Sequence, residues 1–310
     1  MKGVKKDRLV FIFGPTGVGK SDLACKSASG IGEIISVDSM QVYKGMDLGT
    51  AKPSKEQMDS VKHHMVSIVS PDYRFSAGNF KKLALSIIPG IYKRKKIPFL
   101  VGGTGLYFRA LELDLMDAPQ ADLNLREALY VDEEKSKGTL YKRLAKVDPA
   151  AASFLHPNDI LRIVRALEIF YLSGTKFSKY IDNEKKKKSA SRFRVLKIGI
   201  NDDRGRLYEK LESRCEKMIE SGLAKEVYRL LRAGYTEKYP SMKGLGYSHF
   251  IQNQKGCLSC EETVKLFIRD TKRYAKRQLT WFRKEAGTHW CGPFDSEVVK
   301  RMAVSFFDLE

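Results

Sequence analysis

Residues 9–24, LVFIFGPTGVGKSDLA, constrain the fold more than any other stretch of the chain. An apolar, strand-like run over 9–13 enters a glycine-rich turn, and a helix begins near Gly19. Gly14-Pro15-Thr16-Gly17-Val18-Gly19-Lys20-Ser21 satisfies G-x-x-x-x-G-K-[ST], with a strand before it and a helix after it. Glycines at these positions let the backbone curl until several amides point at one anion, and the helix N-terminus adds its positive dipole. Lys20 supplies a point charge for a terminal phosphate, and the Ser21 hydroxyl can ligate Mg²⁺. The pattern predicts a polyphosphate site in an α/β protein; it does not by itself specify a nucleotide.

Two further strand-to-turn junctions belong to the same sheet. EIISVDSMQVY reads as a strand over 33–37 that delivers Asp38 at its carboxyl end. Ligands of open parallel sheets lie at that edge, so Asp38 faces the cradle. There a carboxylate can order Mg²⁺ and water, take a proton from a nucleophile, or merely cap the next helix. The buried strand over 97–101 ends in Gly102-Gly103-Thr104-Gly105, not in the acidic residue that a motor or GTPase places there for Mg²⁺. With no switch-like loop either, nucleoside triphosphate hydrolysis has little support. Thr104 offers a hydroxyl beside Asp38, or serves only to form the turn.

Strand–helix alternation stops near Pro119 and returns with VLKIGI. The organisation expected is a parallel-sheet core over 1–118 and 201–310, flanked by helices, with a mainly helical insertion over 119–200. Within the insertion, DILRIVRALEIF has apolar residues at helical spacing, and Arg162 and Arg165 are three apart, placed to share a positive face. DNEKKKKSASRFR reads as an exposed loop. In the last third, VKLFIRDTKRYAKRQLTWFRK pairs an apolar stripe (Val264, Phe267, Ile268, Ala275, Leu279, Phe282) with exposed Arg269, Arg273, Lys276 and Arg277.

The chain of 310 residues carries a net charge of +19, an excess that attracts a polyanion. Nucleic acid is the expected partner, ahead of an anionic membrane surface. No apolar run approaches the roughly 18 residues a membrane helix needs. The basic start, MKGVKKDR, lacks the apolar core of a secretory signal. Five scattered cysteines suggest a reducing cytoplasm. Cys257 and Cys260, with His289 and Cys291, lack the spacing of a common zinc finger, and His63-His64 reads as structural hydrogen bonding.

In order, GPTGVGKS, DSMQVYKGMDLGTAKPS, HHMVSIVSPDYRFSAGNF, GGTGLYFRAL, NDILRIVRALEIF, SGLAKEVYRLL, KGLGY and TKRYAKRQLTWFR resemble the tRNA dimethylallyltransferases (tRNA isopentenyltransferases), over nearly the whole chain. The resemblance implies a bacterial-type enzyme that moves the dimethylallyl group of dimethylallyl diphosphate to the exocyclic N6 of adenosine 37, beside the anticodon, with Mg²⁺ as cofactor. A sister activity on free AMP, ADP or ATP is the alternative; it needs no basic cleft. Carried over motif by motif, residues 14–21 hold the diphosphate, Ser21 helps Mg²⁺, Asp38 is the general base and Thr104 contacts the transfer site. Ser39, Met40, Gln41 and Arg126 are implied contacts to the tRNA anticodon stem-loop. So are Leu161, Arg162, Ile163, Val164 and Arg165, together with Lys243, Gly244, Leu245, Gly246 and Tyr247. The enzyme is expected to be a cytoplasmic monomer. His63-His64-Met65-Val66-Ser67 departs from the family by lacking an acid, and the segment ELDLMDAPQ is short for it.

Overall fold

The computed structural model describes residues 7–113, 118–187 and 192–308. They form two compact units, one made of Met1–Glu112 with Arg192–Glu310, the other of Leu113–Ser191.

The first unit is built on six parallel strands: β1 (Arg8–Phe13), β2 (Gly32–Val37), β3 (His63–His64), β4 (Ile97–Gly102), β5 (Arg194–Ile200) and β6 (Thr288–Cys291), in the order β3-β2-β4-β1-β5-β6. The first half carries α1 (Lys20–Ala28), α2 (Lys55–Ser60), α3 (Ala77–Lys93) and α4 (Gly105–Glu112). Alternation along β1 shows why its sequence is apolar throughout. Val10 and Ile12 enter one cluster with Leu23, Leu207, Leu211 and Val299, while Leu9, Phe11 and Phe13 enter another with Phe80, Phe108 and Phe282. Both faces of a parallel sheet are covered by helices, so neither can be polar.

The second unit is helical: α5 (Leu123–Lys135), α6 (Thr139–Val147), α7 (Pro149–Phe154), α8 (Ile160–Ser173) and α9 (Phe177–Lys187). It has its own core, in which Leu129, Leu140, Leu144, Ile163, Val164 and Leu167 meet. Asp159 caps α8 by accepting from the Arg162 amide, and Gly174, with φ +68°, ends it. After β5 the chain returns to the first unit as α10 (Arg204–Glu220), α11 (Leu223–Arg232), a 3₁₀ turn (Pro240–Lys243), α12 (Tyr247–Gln254), α13 (Cys260–Phe282) and, beyond β6, α14 (Ser296–Asp308).

Three expectations change. Residues 194–200, expected in the insertion, pair with β1 as β5, since a return to the sheet satisfies the backbone donors and acceptors of both strands. The run expected as a loop over 182–194 is helical as far as Lys187, because Glu and Lys are good helix formers; residues 188–191 lie outside those described. The turn after Asp38 is not a helix. The histidine pair has structural partners: His64 Nε2 lies 2.7 Å from Glu33 Oε2, and His63 Nδ1 lies 2.7 Å from the Val61 carbonyl. No group of three or more His, Cys, Asp or Glu comes together as a metal cage among the described residues.

Candidate active site

The cradle forms where β1 stops and α1 starts. Gly17 and Gly19 have φ of +78° and +96°, and a Cβ on Gly17 would fall 2.5 Å from Leu211 Cδ2. Only glycine fits there on both counts. Gly19 gives α1 no side-chain cap, so the helix presents its first amides uncapped. Lys20, the first residue of α1, turns its ammonium back to the Pro15 carbonyl at 2.8 Å. Burial, with Arg214 nearby, pushes Lys20 down to about 7 against the pull of Asp38.

Asp38 follows Val37, the last residue of β2, which pairs with Gly102 of β4. Its Oδ1 accepts hydrogen bonds from the amides of Met40 (2.8 Å) and Gln41 (3.2 Å), which fixes the carboxylate in a turn. Asp38 therefore caps that turn and still lines the cavity beside the cradle. Thr104 Oγ1 accepts from the Ser39 amide at 3.1 Å, and its own amide donates to the Val37 carbonyl. Thr104 thus ties the two loops at the sheet edge to each other.

Two cavities meet at this edge. The first, of about 900 Å³, is lined by the cradle from Thr16 to Ser21, by Gln41, Gly103 and Gln278, and at its lip by Pro293 and Phe294. The second, of about 340 Å³, is lined by Ser39, Met40, Cys215, Met218, Lys243, Gly244, Leu245, Phe267 and Thr271. Thr16, Asp38, Thr50, Arg214 and Tyr274 line both. A polyphosphate-sized space and a smaller, more apolar one therefore share a wall at the Asp38 carboxylate.

The KGLGY segment divides its work. Lys243, Gly244 and Leu245 face the second cavity, and a Cβ on Gly244 would strike Met40 Cε at 2.4 Å. Gly246 and Tyr247 are buried behind them. The Tyr247 hydroxyl donates to Glu226 Oε1 at 2.6 Å, and Glu226 also accepts from the amides of Asp47, Leu48 and Gly49. That carboxylate holds the turn that brings Gly49 and Thr50 to the second cavity. Gln41 is anchored as well, accepting from Ser36 Oγ at 2.8 Å and donating to the Ala51 carbonyl at 3.1 Å.

In the helical unit the expected contact residues separate. Leu161 is 75% exposed, and the Arg162 side chain is 65% exposed. Ile163 and Val164 are buried in the unit's core, so their side chains are withdrawn from any partner. Arg165 does not share a positive face with Arg162. It turns inward to Glu168, and Arg126 donates to the same carboxylate through Nε and Nη2, both at 2.8 Å. Burial alone would raise Glu168, but the arginine hydrogen bonds and the Asp122 amide outweigh it and hold the carboxyl below its usual range.

Sequence reasoning missed Arg214 and Gln278. Arg214 has no ion pair or hydrogen bond among the described residues, and burial lowers its pKa. Its signal is positional: it lies three residues from Leu211 and one from Cys215, both buried, so a cation interrupts an apolar stripe. The buried face of α13 carries Thr263, Thr271 and Gln278 among Phe267, Ala275 and Phe282, which a search for apolar residues passes over.

For a divalent cation, Ser21 offers a hydroxyl oxygen on the cavity wall, while no hydrogen bond among the described residues occupies Asp38 Oδ2, which leaves that atom able to accept a proton. Mg²⁺ is usually held by one or two protein oxygens, substrate phosphates and water, and this donor set suits it.

A glycine cradle at the carboxyl edge of a parallel sheet, opening beside a carboxylate into a second cavity, defines a P-loop-type α/β protein built to bring a polyphosphate to another substrate. Residues 41–285 match the model of the IPP transferase family. The chain is 45% identical over 284 residues, 91% of each chain, to the tRNA dimethylallyltransferase of Desulforudis audaxviator. It is 45% identical over 302 residues to that of Geobacter metallireducens, covering 96% of this chain and 97% of the other. The structure of the tRNA isopentenylpyrophosphate transferase from Bacillus halodurans superposes with a TM-score of 0.71 at 37% identity, over 98% and 96% of the two chains. A eukaryotic dimethylallyltransferase acting on tRNA superposes with 0.81 at 26% identity, over 97% and 79%. The chain belongs to the IPP transferase family.

Proposed function

We propose that the protein transfers the dimethylallyl group of dimethylallyl diphosphate to N6 of adenosine 37 in tRNA and releases diphosphate. The observation that carries this reading is the meeting of the two cavities at Asp38. The diphosphate lies in the first, on the uncapped amides of α1, with Lys20 and Arg214 beside it. The extruded adenine enters the second, walled by Met40, Leu245 and Phe267, since a base within its stack keeps its amine out of reach.

An adenine amine is a weak nucleophile because its lone pair is delocalised into the ring. As N6 forms its bond to the allylic carbon, the Asp38 carboxylate takes the N6 proton and the C–O bond to diphosphate breaks. Positive charge developing on the allylic carbon is tolerated by resonance. Negative charge growing on the leaving group meets donors already aimed at it: Lys20, Arg214 and the cradle amides. Ser21 would help hold Mg²⁺, which would supply further neutralisation of that charge. Thr104 keeps the Asp38 turn in register. Lys243, the exposed basic face of α13, Leu161 and Arg162 receive the anticodon stem-loop, in keeping with the charge of +19. Arg126 and Arg165 shape the helical unit by closing on Glu168. The enzyme acts as a monomer in the cytoplasm, where a reducing compartment keeps cysteines such as its five as free thiols.

The test is a transfer assay with labelled dimethylallyl diphosphate, Mg²⁺ and either unmodified tRNA or free AMP. Label on the tRNA adenosine alone is expected. Label on AMP alone would mean that the second cavity takes a free nucleotide.

A further inference from the structure

One cradle amide is already engaged by protein. The Thr16 N–H donates at 2.8 Å to Gln278 Oε1, and Gln278 Nε2 donates at 2.8 Å to the Gly103 carbonyl. A single primary amide thus bridges the glycine loop after β1 and the glycine loop after β4. Gln278 is 7% exposed, and the bridge is close: a Cβ on Gly103 would lie 2.2 Å from Gln278 Nε2. Gln278 lies one helical turn beyond Tyr274, which lines both cavities, and Thr271 and Phe267 on the same helix line the second.

We infer that Gln278 is a positioning residue: it fixes the Thr16 peptide so that the remaining cradle amides converge on the donor diphosphate, and it locks this geometry to the Gly103–Thr104 loop beside Asp38. The inference deepens the transfer reading and rests on it. Thr16 is a wall residue of both cavities, so a rotated Thr16 peptide displaces the diphosphate and the reacting carbon together. Only an amide of this length donates at one end and accepts at the other. A carboxylate accepts from Thr16 but has no proton for Gly103; a thioether of similar size does neither. Loss of the bridge leaves a half-buried peptide N–H at Thr16 and a buried carbonyl at Gly103 without this partner.

The experiment compares Gln278→Met and Gln278→Glu with the parent enzyme, measuring inorganic diphosphate binding by calorimetry, kcat and KM for each substrate, and Tm. For Gln278→Met the expected result is a kcat/KM for dimethylallyl diphosphate lower by about 10²-fold, the cost of a misplacement near 1 Å, with diphosphate binding weakened and KM for tRNA within about twofold of the parent. Gln278→Glu is expected to be equally poor at neutral pH. Its donor kcat/KM, taken as a ratio to the parent at each pH, recovers as the pH falls and the carboxyl gains a proton with which to donate to Gly103. That pH-dependent recovery is not expected of a residue that only packs. Donor constants equal to the parent's in Gln278→Met, or losses that fall equally on tRNA and donor with a matching fall in Tm, would overturn the inference. A parent enzyme that binds diphosphate but transfers to neither acceptor would instead overturn the transfer reading, and diphosphate affinity in the variants would still decide the role of Gln278.

Discussion

Two charged clusters, one in each unit, use arginine and carboxylate in opposite ways. In the helical unit, Arg126 and Arg165 close on Glu168, whose side chain is fully buried, and all three charges of this cluster have a partner within hydrogen-bond reach. In the sheet unit, Lys20, Arg214 and Asp38 influence one another across a cavity without pairing. Closed pairs make a scaffold, because their attraction is already used. Open cations next to a cavity cost the folded state and keep their attraction for an incoming anion. The candidate site thus lies where the electrostatics are least satisfied.

The contrast can be broken most sharply at Asp38. Asp38→Ala is expected to lower kcat by roughly 10²–10⁴-fold while tRNA affinity stays near that of the parent, measured by single-turnover transfer and filter binding. A large loss of tRNA affinity would move Asp38 from proton acceptor to RNA contact. The next effect comes from the open cations. Lys20→Met and Arg214→Met should each lower donor kcat/KM by about 10²–10³-fold. For Lys20→Met, Tm should hold or rise at neutral pH. The folded-state pKa of Lys20 is about 7, below its ordinary 10.5, so its charge costs stability at and below neutral pH. That cost fades as the pH rises from 7 toward 10.5.

The closed cluster should give the reverse pattern. Arg126→Ala leaves Glu168 with fewer partners in a buried site and is expected to destabilise the fold by about 3 kcal/mol, read from urea unfolding. Donor KM should stay near the parent value; a loss of donor affinity without a loss of stability would dissolve the distinction between the two regions. Proton uptake is a finer probe. Bound diphosphate raises the Lys20 pKa again, so binding takes up a proton and weakens as the pH rises above about 7. Calorimetric enthalpies for inorganic diphosphate should then differ between two buffers of unlike ionisation enthalpy, and equal enthalpies would remove Lys20 as the proton acceptor. The smallest change belongs to Arg162→Ala: the slope of log tRNA affinity against log salt should flatten by about one unit, whereas no change would take its exposed guanidinium off the RNA.

Much of the site was legible because its residues are set by local backbone chemistry. Gly17 and Gly19 are written into the sequence by positive φ and close packing, and Lys20 follows from the loop they make. Asp38 and Thr104 could be placed because parallel strands bring their carboxyl ends to one edge. Spacing could not say that Thr104 bonds the Ser39 amide, nor that Glu226 gathers three amides of a turn some 180 residues away in sequence. Helical periodicity correctly buried Phe267, Ala275 and Phe282. It assigned Arg165 to the surface beside Arg162, because a three-residue spacing fixes proximity on the helix but not the presence of Glu168 beneath it.

By itself, then, the sequence determined the cradle, the strands around it, the helical insertion and the cationic surplus, all properties of adjacent residues or of composition. Only the tertiary structure decided which charges remain open and which are closed. It turned Arg165 inward and left Arg214 without an ion pair among the described residues, and it brought Gln278 across 262 residues to the Thr16 amide. The reason is physical. A peptide's conformation depends on its neighbours in the chain, whereas the partner of a buried polar group depends on which distant element supplies the matching donor or acceptor when the core packs.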